Sequence, residues 1–203
     1  MDVIRHEIVG DRVIHGEGTR LEEWRSCQIL QQMPEFDIPK IIPLDARVCI
    51  IAPHPDDEIL GCGGLIQRLD KLGYQIILFA VTNGTASHPG SSLYTPEELN
   101  QIRPAETRAA LEALPLKQNI LRIALDIQDG KVAEQRDVLQ QHLQSYLQPN
   151  DVLISTFVHD GHPDHEITGQ VTQQLATELH LPCIQVLIWA WHWATPGDTR
   201  IPW

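Results

Sequence analysis

The chain has 203 residues, of which 42% are hydrophobic and 21% are charged, so its composition fits one globular domain and excludes disordered and fibrous classes. Fifteen Lys and Arg stand against 27 Asp and Glu, which gives a net charge of -12. Because this charge repels phosphate backbones, we expect no nucleic-acid partner.

The start of the chain lacks the unbroken apolar segment of a signal peptide. Apolar runs elsewhere fall short of the ~18 residues that a membrane span needs. The four cysteines are widely spaced and form no CxxC pair, which is typical of buried free thiols. These features predict a soluble, cytoplasmic protein without a membrane span.

The predicted elements alternate between helix and strand along the chain. A first, weak pattern predicts a capped helix over residues 20–32. Continuous apolar runs then predict buried strands over residues 48–52, 75–82, 120–125, 151–156 and 183–189. Helical spacing lies between them, over residues 59–72, from near 96, over 132–147 and over 163–179. This alternation predicts an α/β fold with a Rossmann-like open, mainly parallel sheet and helices on both faces.

Two clusters of His and Asp follow two of these strands. The first is PHPDDE at residues 53–58, and the second is HDGHPDHE at residues 159–166. Carboxyl ends of strands face one crevice in such a sheet, so we expect the clusters to meet. His54 and Asp57, with a third ligand from the second cluster, would leave one coordination position open. Two nitrogens and one carboxylate suit Zn²⁺, and Fe²⁺ accepts the same set.

The residue spacing also divides the chemical roles. The adjacent Asp56 and Asp57 point in different directions, so one can hold the metal while the other acts as general base on water. His162 and His165 are three residues apart, so one can ligate while the other stabilises an oxyanion or protonates a leaving group. Asp164 can orient that second imidazole. These residues alone leave open which histidine is the ligand.

With these motifs the sequence resembles the PIG-L/LmbE family of zinc-dependent de-N-acetylases. The resemblance also covers TNG at residues 82–84, RPAE at 103–106 and DG at 129–130, in that order. It implies that His54, Asp57 and His165 bind zinc, that Asp56 is the general base, that His162 is the oxyanion or acid group and that Asp164 modulates His162. It further implies that Arg103 and Asp129 reach the substrate, and the loop residue His88 is another candidate there.

The resemblance implies an amide hydrolase that removes acetyl from an N-acetylated small molecule containing an amino sugar. Two alternatives stay open from the sequence. The same metal site could hydrolyse another amide or an ester, or the protein could be an inactive module that retains metal and binds a ligand.

The end of the chain carries two further expectations. Relatives continue beyond the position of Trp203, so the resemblance implies one deacetylase-like domain over residues 1–203 that lacks a C-terminal segment. The alternation of Trp189, Trp191 and Trp193 predicts a strand with one aromatic face, and a sugar-binding platform is the alternative. With no later element to cover this segment, we expect homo-oligomers that form through it.

Overall fold

The computed structural model describes residues 11–203 and contains one five-stranded sheet. Its strands are β1 (Arg47–Ala52), β2 (Gln75–Thr82), β3 (Leu121–Ile127), β4 (Asp151–Thr156) and β5 (Cys183–Val186). Its helices are α1 (Leu21–Arg25), α2 (Gln28–Gln32), α3 (Ile38–Ile41), α4 (Asp57–Leu72), α5 (Pro96–Ala113), α6 (Arg136–Tyr146), α7 (Pro163–Leu179) and α8 (Ala190–Trp193).

The strand order is β3-β2-β1-β4-β5, and every neighbouring pair is parallel. Alternate residues of the strands feed two apolar cores. Cys49 and Ile51 of β1 pack in the core that α6 and α7 cover. Val48 and Ile50 pack in the opposite core, under α3 and α4. The predicted α/β fold with helices on both faces is therefore confirmed, and β1 is buried on both sides.

The sheet changes its winding direction at β1 and β4. The chain leaves β1 towards β2 and β3, then crosses back to β4 and β5. Ligands of such sheets collect at this switch point, outside the carboxyl ends of the strands. Both His/Asp clusters of the sequence follow these two ends.

The opposite, amino ends of β1 and β4 are joined by a buried ion pair. Arg47 Nε and Nη2 donate to the Asp151 carboxylate at 2.7 and 2.6 Å, and the two residues are paired in the ladder. The Asp151 carboxylate also accepts the backbone N–H of Gln148, and Arg47 donates to the carbonyl oxygen of Tyr146. Both charges of this pair thus have partners within the protein.

Several predicted elements differ in the structure. The helix predicted over residues 20–32 is divided into α1 and α2 by a break at Ser26 and Cys27. The helix predicted over residues 132–147 begins with a 3₁₀ turn, Ala133–Gln135, before α6. The strand predicted over residues 183–189 ends at Val186, and the tryptophans that follow it form the helical turn α8.

The prediction of a strand with one aromatic face is therefore wrong, and the cause is one buried carboxylate. Asp160 accepts the backbone N–H groups of Ile188, Trp189 and Ala190 at 2.9, 3.0 and 3.1 Å. These donors are no longer available to a strand ladder, so the chain turns into α8 instead.

The segment from Trp189 onward is also partly covered, contrary to expectation, although Trp191 remains 40% exposed. Trp24 of α1 stands edge-on to Trp191 with ring centroids 5.0 Å apart, and its Nε1 donates to the carbonyl oxygen of Trp191 at 3.0 Å. Ile201 and Trp203 pack in the same cluster. The uncovered apolar surface on which the prediction of homo-oligomers depended is therefore smaller than expected.

Two smaller expectations concern the cysteines and membrane spans. All four cysteines are free, and Cys27, Cys49 and Cys62 are buried, as predicted. Between residues 11 and 203, no helix combines the length and apolar character needed to cross a membrane.

Candidate active site

Three side-chain atoms converge at the carboxyl ends of β1 and β4: His54 Nδ1, Asp57 Oδ2 and His165 Nε2. The two nitrogens lie 3.1 Å apart, and Asp57 Oδ2 lies 3.5 Å from His54 Nδ1 and 3.2 Å from His165 Nε2. Ligands about 2.0–2.1 Å from a tetrahedral zinc ion are about 3.3 Å from one another. The set therefore fits an ion of this size, and it joins the three residues that the resemblance implies as ligands.

Local structure holds these three side chains in place. Asp57 begins α4, and its Oδ2 accepts the backbone N–H of His54 at 2.9 Å. His165 lies in the first turn of α7, and its carbonyl oxygen accepts a hydrogen bond from Thr156 Oγ1 at 2.9 Å. One turn further, a Cβ on Gly169 would collide with the carbonyl oxygen of Thr156, so glycine allows α7 to approach β4 this closely.

Carboxylates contact the other nitrogen of each imidazole. His54 Nε2 lies 3.1 Å from Asp129 Oδ1 and 3.3 Å from Asp164 Oδ2. His165 Nδ1 lies 2.8 Å from Asp160 Oδ2. A carboxylate here fixes the imidazole tautomer, so a lone pair is left on the nitrogen that faces the cluster. Both histidines are thereby prepared to bind a cation.

The buried carboxylates favour positive charge at this place. Burial disfavours the charged form of Asp57, but the charges and hydrogen bonds of His165 and His54 hold the Asp57 pKa well below its usual range. Burial also acts against charge on His165, yet Asp57 and Asp160 raise the pKa of His165 to about 9. The same carboxylates would stabilise a metal ion.

Two groups of side chains around His54 have the spacing of metal ligands. His54, His162 and His165 form one, and His54, Asp129 and Asp164 form the other, with ligand atoms within 4.8 Å of one another in each group. The second group uses His54 Nε2, which the two carboxylates already engage. We therefore regard the Nδ1 side of His54 as the metal side.

Asp56 has an unusual backbone conformation at the N-cap of α4. Its φ of 136° lies in a region that L-residues rarely occupy, and such strain is often found at functional sites. Its side chain is 53% exposed, and Oδ2 lies 2.9 Å from Arg103 Nη2. Burial of part of the group and the charge of Asp57 raise the Asp56 pKa, while Arg103 acts in the opposite direction. A carboxylate of raised pKa beside the cluster is suited to accept a proton.

Two residues hold Asp56 in this position. Arg103 of α5 donates from Nη2 to the carbonyl oxygen of Pro55 at 2.6 Å as well as to Asp56. Glu58 Oε2 accepts the backbone N–H of Asp56 at 3.2 Å. Arg103, for which the resemblance implies a substrate contact, is therefore engaged with Asp56 and is only 14% exposed.

His162 forms the N-cap of α7. Its Nδ1 accepts the backbone N–H of Asp164 at 3.2 Å, so Nε2 carries the ring proton and can donate it. Burial, together with the nearby imidazoles of His54 and His165, lowers the pKa of His162 to about 3. Its ring centroid lies 4.8 Å from that of His54 and 4.9 Å from that of His165. A neutral N–H donor at this distance suits a developing oxyanion.

Asp164 is also part of the cluster, but its carboxylate points to His54. It accepts the backbone N–H groups of Gly130 and Val132 at 2.8 and 3.2 Å. Its direct hydrogen bond to His162 comes from its own backbone N–H. The predicted orientation of His162 by Asp164 therefore takes a different form, through the main chain and the nearby charge.

The remaining predicted substrate residues are placed differently from one another. Asp129 Oδ2 accepts the backbone N–H of Ala86 at 2.7 Å, so Asp129 joins the loop after β2 to His54. His88 is exposed in that loop and contacts Ser87 and Tyr94. The structure thus brings Asp129 to the cluster but does not show a contact between His88 and the cluster.

From the sequence, Asp160 is as well suited to pin its loop as to contact a substrate, and it was not among the predicted site residues. In the structure it is fully buried behind His165. Its position within HDGHPDH was the available signal, but an Asp in such a loop can equally pin the chain. Only the fold shows that Asp160 both contacts His165 and pins the chain, because the backbone groups that it binds lie 28–30 residues further along.

The sequence model of the PIG-L family, described as GlcNAc-PI de-N-acetylase, matches residues 49–176, which include every residue of this cluster. The chain belongs to the PIG-L family. The resemblance that the motifs predicted is thereby confirmed, and the match covers more than half of the chain.

Curated relatives of this PIG-L chain are named as deacetylases. Diacetylchitobiose deacetylase of Thermococcus kodakarensis is 29% identical over 127 residues, which are 61% of this chain and 46% of that protein. "Probable N-acetyl-alpha-D-glucosaminyl L-malate deacetylase 2" of Bacillus cereus is 28% identical over 142 residues, which are 67% of this chain and 63% of that protein. The chain therefore spans about half to two thirds of the length of these relatives.

A solved structure has the same fold. The N,N'-diacetylchitobiose deacetylase from Pyrococcus horikoshii, in complex with its inhibitor MPG, gives a TM-score of 0.55 at 25% identity. The similarity covers 80% of this chain and 61% of that one.

Proposed function

We propose that this PIG-L chain is a zinc-dependent hydrolase that removes acetyl from the nitrogen of a small molecule containing an amino sugar. The observation that carries the proposal is the convergence of His54 Nδ1, Asp57 Oδ2 and His165 Nε2, whose charges act on the carboxyl group of the adjacent Asp56. The names of two relatives support the substrate class, because diacetylchitobiose and N-acetyl-glucosaminyl malate both contain N-acetylated amino sugars.

His54, Asp57 and His165 would hold Zn²⁺, and Fe²⁺ is the second candidate for the same donors. When bound, such an ion polarises a carbonyl group and lowers the pKa of water to about 7. Asp129, Asp164 and Asp160 keep the two imidazoles in the orientation that ligation requires.

Asp56 would accept a proton from the attacking water. Its carboxylate lies beside the ligand set, its pKa is raised, and Arg103 and Glu58 restrict its movement. As the bond between the carbonyl carbon and the nitrogen breaks, Asp56 returns this proton to the departing amine. The products are acetic acid and the amine, and transfer of the acid's proton to the amine gives acetate and an ammonium group, so atoms and charge balance.

His162 would act on the carbonyl oxygen of the acetyl group. Nδ1 of His162 is engaged by the backbone of Asp164, so the Nε2–H bond is the one directed to a substrate. Donation of this hydrogen bond stabilises the negative charge that develops on the oxygen. A neutral imidazole gives this stabilisation without transferring its proton.

We also propose that the partner is a small N-acetylated molecule and that the protein acts in the cytoplasm. The free, mostly buried cysteines support a reducing compartment. The net charge of -12 supports a partner other than nucleic acid.

The test compares two adjacent, isosteric replacements in the full chain, with metal content and acetate release measured on each. Asp56→Asn should keep its zinc while kcat on an N-acetyl sugar falls about 10²–10⁴-fold, the usual loss on removal of a general base. Asp57→Asn should instead weaken zinc affinity, and excess Zn²⁺ should restore part of its activity.

A panel of N-acetyl sugars and matched O-acetyl esters completes the experiment. Release of free amine in preference to ester cleavage supports the deacetylase. The proposal fails if the zinc-loaded chain releases no acetate from any N-acetyl sugar, or if Asp56→Asn loses the metal or keeps normal turnover.

A further inference from the structure

A pocket of about 400 Å³ opens beside the candidate active site, and the proposed chemistry makes no use of it. Leu60 of α4 forms one wall, and Gly18 and Thr19 form a second. The third wall comes from the segment that follows β5, with Ile188, Trp189, Trp191 and His192.

This pocket adjoins the reacting groups on two sides. Leu60 lies one helical turn after Asp56, and its backbone N–H donates to the carbonyl oxygen of Asp56 at 2.9 Å. On the other side, Ile188 and Trp189 donate their backbone N–H groups to Asp160, the carboxylate that contacts His165. Two walls of the pocket are therefore one hydrogen bond away from Asp56 and from Asp160.

The walls present apolar side chains to the opening. Leu60 is 70% exposed and Trp191 is 40% exposed, so both present apolar surface to solvent. Trp191 is fixed from behind by the ring of Trp24, and Trp189 stands edge-on to His192 with centroids 5.9 Å apart. Rings held in this way lose little conformational entropy when a ligand contacts them.

The pocket carries little charge. Among the described residues that line it, none is Asp, Glu, Lys or Arg. The hydroxyl of Thr19 already donates to the carbonyl oxygen of Ala194 at 2.5 Å. A pocket of this volume, lined by aromatic and aliphatic groups, suits an uncharged group of ring size.

The N-terminal wall is fitted closely to the aromatic wall. The backbone N–H of Thr19 donates to the carbonyl oxygen of His192 at 2.9 Å. A Cβ at Gly18 would collide with the imidazole of His192, so only glycine permits this approach. The two walls are therefore built as one unit from opposite ends of the described chain.

We propose that this pocket binds a flat, uncharged ring that is attached to the acetamido sugar, and that it selects among glycosides on this basis. An aryl group and a second pyranose share the required chemistry, because both present a flat apolar face. The connection to catalysis rests on the proposed deacetylase function, whereas the binding itself does not.

The experiment measures binding of three amines without an acetyl group: methyl glucosaminide, phenyl glucosaminide and a disaccharide of glucosamine linked to glucose, whose second ring is uncharged. Calorimetry on the full, zinc-loaded chain gives each Kd. The wild type should bind one or both of the larger probes about three- to tenfold more tightly than methyl glucosaminide, the range of an aromatic contact. Trp191→Ala and Leu60→Ala should each reduce that preference.

Leu44→Ala is the matched control, because Leu44 is 69% exposed and lies just before the amino end of β1. It should keep the preference of the wild type. Leu60 is a surface position, so Leu60→Ala decides the matter if Trp191→Ala does not fold.

Each outcome has one meaning. Preference for the phenyl probe alone identifies an aryl ligand, and preference for the disaccharide alone identifies a second sugar. Equal binding of all three probes by the wild type overturns the proposal, and so does the same loss in Leu44→Ala. Ring preference without any acetate release would retain this pocket and refute the deacetylase, and the reverse pattern would refute only the pocket.

Discussion

The two ends of β1 and β4 carry buried charges of opposite character. At the amino ends, Arg47 and Asp151 form one cation and one anion that satisfy each other. At the carboxyl ends, four buried carboxylates surround three imidazoles within a few ångströms. The two neighbouring strands thus carry a neutral ion pair at their amino ends and an excess of negative charge at their carboxyl ends.

This difference separates a structural from a functional use of charge. A buried ion pair is complete when both partners are present, and removal of one partner destabilises the fold whether or not a ligand is bound. An excess of buried carboxylates is costly until a cation compensates it. We therefore expect changes at the amino ends to affect stability, and changes at the carboxyl ends to affect affinity for metal.

The largest effect is expected when the ion pair of Arg47 and Asp151 at the amino ends is broken. Asp151→Ala leaves the guanidinium of Arg47 without its carboxylate, so the free energy of unfolding should fall by about 3–5 kcal/mol. Urea denaturation measures this change, and zinc content per folded molecule should stay unchanged. Asp45→Ala, on an exposed neighbour, should shift stability by less than about 0.5 kcal/mol. Equal losses in both variants would contradict the assignment.

A smaller effect is expected when a carboxylate that supports the proposed metal site is neutralised and the proposed ligands stay unchanged. Asp160→Asn removes the negative charge behind His165, so zinc affinity should fall about 10–100-fold, as when such supporting carboxylates are lost. Competition against a chelator gives the affinity. Asp137→Asn, at an exposed position of α6, serves as the control. Unchanged affinity in Asp160→Asn would show that the charge behind His165 is dispensable.

The smallest expected effect concerns the residue that supports Asp56. Glu58→Gln replaces a charged acceptor by a neutral one at the Asp56 N–H, which weakens the bond by about 1 kcal/mol and should lower kcat about fivefold. KM and zinc content should not change, because Glu58 is not in the ligand set. Glu112→Gln, exposed on α5, is the matched control. A raised KM with normal kcat would instead place Glu58 among the substrate contacts.

Much of the fold could be predicted because its signals are local. Continuous apolar runs predicted β1, β2 and β4 nearly to the residue, since strands buried on both faces need apolar side chains at every position. The exception was the segment from Trp189, where three tryptophans at alternate positions predicted a strand. There a single side chain from the β4–α7 loop overrides the local pattern, and no periodicity records such a contact.

In the candidate site, too, local features could be predicted from the sequence and long-range contacts could not. The residues proposed to bind metal lie in two compact motifs, so spacing and resemblance could identify them. Their supporting contacts join distant parts of the chain: Arg103 reaches Asp56 across 47 residues, and Gly130 reaches Asp164 across 34. These partners depend on the paths of loops, which the sequence does not specify by pattern.

The backbone of Asp56 has a consequence for how this protein could be improved or damaged in the laboratory. Its φ of 136° is easy for glycine and strained for any residue with a side chain. A screen that rewards heat resistance alone would therefore favour Asp56→Gly, which relaxes the turn and discards the proposed base. Directed evolution of this protein would need to score turnover in every round, because its most heat-resistant descendants could be its inactive ones.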